Sequence, residues 1–99
     1  MSSEIKWNKK AIKQLDDAIK YIETDSLQNA EKVEVDILTA IGKIPQHPER
    51  YPKDKFKLNN DGSFRAFELH RFRVSYRYLK KEIRILRIRH TSMCPKPYK

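Results

Sequence analysis

The spacing of apolar residues changes once along this chain, and that change sets the fold class. Between residues 9 and 44 apolar side chains recur at the spacing of helices that bury one face. From Phe64 to His90 they alternate with polar residues instead, which is typical of strands with one buried face. A weaker alternation at Ile5 and Trp7 predicts a short first strand. The predicted order is β-α-α-β-β-β, an α+β fold with a mostly antiparallel sheet and a helical hairpin on one face.

Capping and turn residues predict where these elements begin and end. Asn8 can cap a first helix that ends near Thr24. Asp25 or Ser26 can cap a second helix, which Pro45 is expected to stop. The remaining elements are predicted as a loop over residues 45–61 and strands over residues 64–70, 71–79 and 81–90.

A tight turn at His70 and Arg71 would fix the pairing of the two strands that it joins. The residues predicted to pack on the helices are then Phe67, Leu69, Phe72, Val74 and Tyr76. The opposite, open face would carry the pairs Glu68–Arg73 and Ala66–Ser75, with Arg77 further along. Such a face is either simply solvated, as in many antiparallel sheets, or functional.

The last strand can be interpreted in two registers. Ile83 and Ile85 favour one buried face, and Leu86 and Ile88 favour the other. A bulge would reconcile them, with Arg87 and Arg89 pointing away from Leu86 and Ile88. His90 then ends the strand.

Composition narrows the class of protein. The 99 residues predict one domain, residues 1–99. No apolar run is long enough to span a membrane, no secretory signal begins the chain, and the single Cys94 cannot form an internal disulfide. These features favour a cytoplasmic location. The chain has 22 Lys and Arg against 13 Asp and Glu, a formal net charge of +9. This charge favours nucleic acid or an acidic protein as a partner. The alternative is a soluble protein that is merely basic.

The chemistry left open is metal-free and cofactor-free. The histidines are not at zinc-ligand spacing, and two glycines cannot build a phosphate-binding loop, so no metal or cofactor is expected. Cleavage of an RNA phosphodiester needs proton-handling groups and a cation at the phosphate. The candidate catalytic residues are Glu68, Arg73, His90 and Tyr98. The candidate phosphate-binding residues are Arg65, Arg77, Arg87 and Arg89.

Three segments carry a resemblance to a known family. They are "IPQHPERYP", "RFRVSYRY" and "EIRILRIRHTSMCPKPY". With the helical hairpin before them, they resemble the RelE/ParE superfamily, the toxins of type II toxin–antitoxin modules, often called plasmid stabilisation proteins. The resemblance covers nearly the whole chain and implies the same fold. RelE-like members cut mRNA, commonly on the ribosome, whereas ParE-like members poison DNA gyrase and lack the nuclease residues.

The resemblance also assigns residues. Arg73 falls on the arginine that RelE-type nucleases place at the phosphate, and Tyr98 falls near their C-terminal tyrosine. The paired lysines of RelE itself would map to Ala66 and Glu68, and its late arginine to about Ser92, so this chain departs from that pattern. Other nuclease branches use a glutamate and a late histidine, which Glu68 and His90 could supply.

The resemblance therefore predicts a growth-inhibiting toxin with an acidic cognate antitoxin. The expected activity is that of an endoribonuclease that binds and cuts mRNA at the ribosome. The alternative is a gyrase poison without hydrolytic chemistry. An inactive relative and a plain RNA-binding domain also remain open.

Overall fold

The structure, a computed structural model, describes residues 4–93 and 96–99, so Cys94 lies outside the described residues. Its elements are β1 (Glu4–Trp7), α1 (Lys9–Glu23), α2 (Leu27–Gly42), β2 (Phe64–Leu69), β3 (Phe72–Leu79) and β4 (Glu82–His90). A short 3-10 helix, Ile44–Gln46, follows α2. The predicted β-α-α-β-β-β order is confirmed.

The helix caps select between the alternatives left by the sequence. The Asn8 side chain accepts a hydrogen bond from the Lys10 amide at 2.9 Å, as expected at the start of α1. Ser26, not Asp25, caps α2 by accepting from the Asn29 amide at 3.1 Å. α2 ends at Gly42 rather than at Pro45, which lies within the 3-10 helix.

The four strands form one sheet in the order β1-β4-β3-β2. β3 pairs antiparallel with both β2 and β4, whereas β1 runs parallel to β4, with Trp7 opposite Ile85. The sheet is therefore mixed, and its first and last strands are neighbours.

The turn at His70 and Arg71 has the predicted register, with Leu69 opposite Phe72 and Phe67 opposite Val74. Both turn residues have positive φ, 52° and 66°, which suits the twist of a two-residue hairpin although neither is glycine. The His70 ring, 2.7 Å from an Asp36 carboxylate oxygen, ties this turn to α2.

The core lies between the helices and one face of the sheet. Val74 and Tyr76 are fully buried there, as predicted, with Phe67 and Phe72 almost fully buried and Leu69 packed at the margin. The helices contribute Ala11, Leu15, Ile19, Ala30, Val33, Ile37 and Ile41. The Tyr76 hydroxyl donates to the Pro48 carbonyl at 2.7 Å, so this buried tyrosine keeps its polar end paired.

The predicted bulge in the last strand is present. The pairing with β3 shifts between Ser75 and Tyr76, which face Arg87 and Ile85, so Leu86 is the extra residue. Leu86 is only half-buried and lies outside the core, in contrast to the prediction that it could share a buried face with Ile88. The bulge lets Ile83, Ile85 and Ile88 all reach the core.

The face of the sheet opposite the helices, here the front face, is not open as the alternation predicted. Ala66 and Ser75 on this face are 2% and 1% exposed. Two segments cover them: the loop before β2 and the chain end at residues 96–99, which hydrogen-bond to each other through Tyr98 and Phe56. The alternation of apolar and polar residues along the strands correctly identified the two faces of the sheet. It could not show that distant segments would fold over the front face.

In the described part of the chain, no helix combines the length and apolarity needed to cross a membrane.

Candidate functional site

A pocket of about 160 Å³ opens on the front face. This pocket is called the front pocket. It is lined by Lys55, Phe56, Glu68, Arg73, Ser75, Arg87, Arg89, His90, Thr91, Met93 and Lys96. Five of these side chains are Lys or Arg and only one is a carboxylate. The pocket therefore brings together Glu68, Arg73, Arg87, Arg89 and His90 from the predicted site.

Strand register explains this convergence. On β3, Arg73 lies opposite Glu68 of β2 and opposite Arg89 of β4. Two residues on, Ser75 lies opposite Arg87. Directly opposed side chains on one face are separated by about 5 Å at their Cβ atoms, so the three strands deliver their polar groups to one place.

A buried carboxylate that the sequence analysis missed organises the pocket's inner wall. Asp54 is 1% exposed and lies in the loop before β2. It accepts hydrogen bonds from Arg73 Nη2 at 3.0 Å, from the Tyr98 hydroxyl at 2.6 Å and from the Phe56 amide at 3.0 Å. Arg73 Nη1 donates to Glu68 at 3.1 Å. The Arg73 guanidinium thus lies between two carboxylates, and its central carbon is 4.9 Å from the centre of the Phe56 ring.

This network shifts the pKa values of its members. Burial alone would raise the pKa of Asp54, but the hydrogen bonds from Tyr98, Phe56 and Arg73 outweigh it and lower that pKa below its usual range. Burial and the bond to Asp54 raise the pKa of the Tyr98 phenol above its usual range. Burial, with the charges of Arg89 and Arg73, lowers the pKa of Arg87. At neutral pH Asp54 is ionised and the Tyr98 hydroxyl keeps its proton.

Two donors at the base of the pocket lack acceptors. Among the described residues, Arg73 Nε and Ser75 Oγ are buried without a hydrogen-bond partner of normal geometry. Ser75 Oγ nevertheless lies close enough to Tyr98 to oppose the rise in the pKa of that phenol.

His90, at the end of β4, has one ring nitrogen committed. Its Nδ1 lies 3.0 Å from the Ser92 amide and 2.7 Å from the Ser92 hydroxyl. A backbone N–H can only donate, so in the neutral ring Nδ1 is the acceptor and Nε2 carries the proton. The ring also meets Phe72 edge-on at 5.1 Å between centroids.

Tyr98 lies behind the pocket rather than in its lining. Its amide donates to the Phe56 carbonyl at 2.8 Å, and its carbonyl accepts from the Leu58 amide at 2.7 Å. The Arg87 guanidinium lies 4.2 Å from the centre of its ring, and Arg87 Nη2 donates to the Lys96 carbonyl at 3.0 Å. The chain end is therefore held against the front face by hydrogen bonds and cation–π contacts.

Two predicted phosphate-binding residues lie elsewhere. Arg65 faces the helices' side of the sheet, opposite Tyr76, and donates to the Gly62 and Tyr51 carbonyls. Arg77 is on the front face but outside the pocket, where it donates to Ser63 and lies 4.7 Å from the centre of the Phe64 ring. The structure does not bring either residue to Arg73.

The residues that the sequence missed come mostly from segments without periodicity. Lys55, Phe56 and Asp54 belong to an irregular loop, and Lys96 to the chain end. Ser75 was placed on the correct face, but nothing in its neighbours predicted its burial. In residues 4–93 and 96–99, no group of three or more His, Cys, Asp or Glu side chains could hold a metal ion.

The sequence also matches a known protein family. Residues 5–95 match the family described as the ParE toxin of type II toxin–antitoxin systems, from parDE modules. The chain belongs to this family. The toxin is thus a member of the wider RelE/ParE superfamily, as its sequence segments predicted.

Solved structures agree with the fold. The toxin is similar to a chain of the chromosomal ParDE toxin–antitoxin system from P. aeruginosa, with 25% identity, a TM-score of 0.69, and coverage of 90% of this chain and 96% of that one. It also resembles a chain of the RelBE2 toxin–antitoxin complex from Mycobacterium tuberculosis, with 17% identity, a TM-score of 0.56, and coverage of 91% and 99%. No curated protein sequence matches it.

Proposed function

We propose that the toxin is a ParE-like poison of DNA gyrase that acts by binding and not by cleaving RNA. The family match over residues 5–95 supports this branch. The observation that carries the proposal is the position of Arg73, whose two terminal nitrogens already donate to Asp54 and Glu68. Two carboxylates more than neutralise one guanidinium, which makes a poor site for stabilising extra negative charge on a phosphate in a transition state.

The proton-handling candidates are also poorly arranged for catalysis. The Tyr98 hydroxyl donates to Asp54, and its pKa is raised by burial, so it is not ready to take or release a proton near neutrality. His90 has its acceptor nitrogen occupied by Ser92, which leaves a protonated Nε2 in the neutral ring and no free base there. A toxin that works by surface contact needs neither group to react.

Gyrase incubated with supercoiled plasmid, ATP and the toxin tests the proposal. After denaturation with detergent and digestion with protease, a trapped cleavage complex is seen as linear DNA on a gel. We expect linear DNA to accumulate with toxin concentration, and not with Val74→Asp, which places a charge at a fully buried position of the core and should prevent folding. Growth arrest without any linear DNA in this assay contradicts the proposal.

The second candidate is metal-independent cleavage of mRNA at the ribosome. It is favoured by one observation, the convergence of Glu68, Arg73 and His90 in a single pocket with Arg87 and Arg89 beside them. In this mechanism Glu68 would leave Arg73 to act as a base, and the arginines would hold the phosphate. His90 would have to release Ser92 to serve as an acid.

Translating ribosomes with a defined mRNA separate the two candidates. Primer extension detects cuts within the message. Cuts made by the wild type and lost in His90→Gln and Glu68→Gln would establish the nuclease. An intact message beside linear plasmid in the gyrase assay supports the poison.

The proposal includes an acidic antitoxin as cognate partner. Both structural relatives come from toxin–antitoxin systems or complexes, and the net charge of +9 favours a partner of opposite sign. The basic front face and the exposed apolar side chains of the helices, among them Leu27 and Val35, are surfaces that such a partner could cover.

A further inference from the structure

The chain leaves the sheet through residues 91–93, here called the exit turn, and the His90 side chain holds this turn in place. The Nδ1 atom of His90 lies 3.0 Å from the Ser92 amide nitrogen and 2.7 Å from the Ser92 hydroxyl. The His90 carbonyl also accepts a hydrogen bond from the Met93 amide at 3.1 Å. The conformation of the exit turn therefore depends in part on a single ring nitrogen.

The direction of these hydrogen bonds depends on the charge of the ring. A backbone N–H can only donate, so the Ser92 amide needs a bare Nδ1 as its acceptor. A protonated imidazole carries a hydrogen on both nitrogens and accepts on neither. The Ser92 hydroxyl can rotate and accept from a protonated ring, but the amide cannot reverse its role. Protonation of His90 and the hydrogen bond from the Ser92 amide therefore exclude each other.

The exit turn contributes to the lining of two pockets. Thr91 and Met93 line the front pocket. Ser92 and Met93 line a second pocket of about 550 Å³, here called the side pocket, to which α1 contributes Gln14, Asp17 and Tyr21. The His90 ring lines both pockets. A change in the exit turn therefore alters the walls of both.

Charged groups of both signs line these pockets with His90. They are Asp17 from α1, Glu68 from β2, Arg73 from β3, Arg87 and Arg89 from β4, Lys55 from the loop before β2, and Lys96 from the chain end. Glu68 accepts a hydrogen bond from Arg73 at 3.1 Å, and the uncharged Phe72 ring meets His90 edge-on. Because carboxylates and cations both lie near the ring, the hydrogen bonds with Ser92 are what couple its charge to the shape of the chain.

We propose that His90 is a proton-sensitive latch on the exit turn. In the neutral ring, Nδ1 accepts from the Ser92 amide and keeps the turn closed. When the ring takes up a proton from solvent, that proton binds at Nδ1, and the Ser92 amide loses its acceptor. The exit turn then loosens from the ring, and the walls of the front and side pockets change together. This inference does not depend on which target the toxin has.

NMR of isotope-labelled toxin between about pH 5 and pH 8, the range in which histidine rings change charge, tests the latch. Ring nitrogen shifts report the charge and tautomer of His90, and the Ser92 amide reports the exit turn. At the upper end of the range we expect a bare Nδ1. As the ring takes up its proton, protection of the Ser92 amide from exchange with water should fall about tenfold, as for the loss of one hydrogen bond. The amide shifts of Thr91 and Met93 should change with the same midpoint.

Three variants separate the ring from its surroundings. In His90→Asn, the amide oxygen can accept from the backbone two residues on and does not titrate, so the Ser92 amide should stay protected throughout the range. Ser92→Ala removes only the hydroxyl, and the amide at position 92 should still lose its protection as the ring is protonated. His47→Asn makes the matched change at an exposed histidine and should leave the transition unchanged.

His70 needs a control of its own, because the Arg71 carbonyl beside it accepts a hydrogen bond from the Thr91 amide at 2.7 Å. His70→Asn should leave the transition at Ser92 in place. The proposal is overturned if protection of the Ser92 amide is constant while the His90 ring takes up its proton, or if the neutral ring carries its hydrogen on Nδ1. A transition that persists in His90→Asn, or that disappears in His70→Asn, overturns it as well. These measurements involve neither gyrase nor RNA, so their failure is distinct from failure of the proposed function.

Discussion

Replacing Asp54 with alanine should destabilise the toxin more than any other single change of a carboxylate. Asp54 is almost fully buried and accepts three hydrogen bonds, from Arg73, Tyr98 and the Phe56 amide. Alanine would leave the Arg73 side chain, itself only 17% exposed, without its buried partner. It would also release the Tyr98 hydroxyl that holds the chain end to the loop.

The magnitude follows from the loss of a buried charge pair. Removing one partner of a buried pair costs about 3–5 kcal/mol, and in Asp54→Ala the Arg73 guanidinium would keep only the more exposed Glu68 as counter-charge. Three hydrogen bonds to a charged acceptor, at about 1.5–3 kcal/mol each, sum to a larger loss. Asp54→Ala also removes the cost of keeping a carboxylate buried, and this lowers the net loss. We therefore expect the free energy of unfolding to fall by about 3–5 kcal/mol. For a domain of this size each kcal/mol lowers Tm by about 4–8 °C, so Tm should fall by at least about 12 °C.

Thermal and urea unfolding followed by circular dichroism at pH 7 measure this change. Asp17→Ala is the matched control, since Asp17 is exposed and forms an ion pair with Lys13 at 3.4 Å, of a kind worth about 0.3–0.5 kcal/mol. A double-mutant cycle with Tyr98→Phe should give a coupling energy of about 0.5–3 kcal/mol, as for residues in one hydrogen-bond network. If Asp54→Ala unfolds within about 1 kcal/mol of wild type, the reasoning from burial and pairing fails.

Three other predictions concern the core, the pH dependence and the antitoxin. Val74→Asp should abolish folding, because an unpaired charge would enter a fully buried position at a cost of several kcal/mol; a cooperative melt like that of wild type would contradict the register. The lowered pKa of Asp54 stabilises the fold above the unfolded value of about 3.9, so unfolding free energy should drop as pH falls below about 4, and less in Asp54→Asn. Association with the antitoxin, followed by stopped flow, should slow as salt rises from low to high concentration; a constant rate would argue against electrostatic attraction.

The sequence was sufficient for most of the fold because its local signals agree. Asn8 and Ser26 are caps, and the His70–Arg71 turn fixes which side chains of two strands face the helices. A bulge in the last strand was predicted because it would reconcile two apolar registers, and the structure places it at Leu86. What these signals lacked was the pairing of β1 with β4, since a parallel neighbour distant in the chain leaves no turn to mark it.

The site was predicted in part for the same physical reason. Residues on strands, such as Arg73, Arg87 and Arg89, could be placed on one face because successive side chains of a strand point to opposite faces of the sheet. Asp54 could not, because an irregular loop has no period that says where a side chain points. Its burial depends on Tyr98, 44 residues away in the sequence, and long-range pairs of this kind leave no local pattern.

The parallel pairing of β1 with β4 has a consequence for when the toxin can become active during its synthesis. Trp7 emerges early but its partner, Ile85, is made near the end, and translation at about 5–20 residues per second leaves β1 without a neighbour for several seconds. β4 lies between β1 and β3 and supplies part of the lining of the front pocket, so neither the complete sheet nor the pocket exists before β4 is made. A message interrupted before β4 would therefore yield a polypeptide without the complete sheet, in which β1 has no strand to pair with.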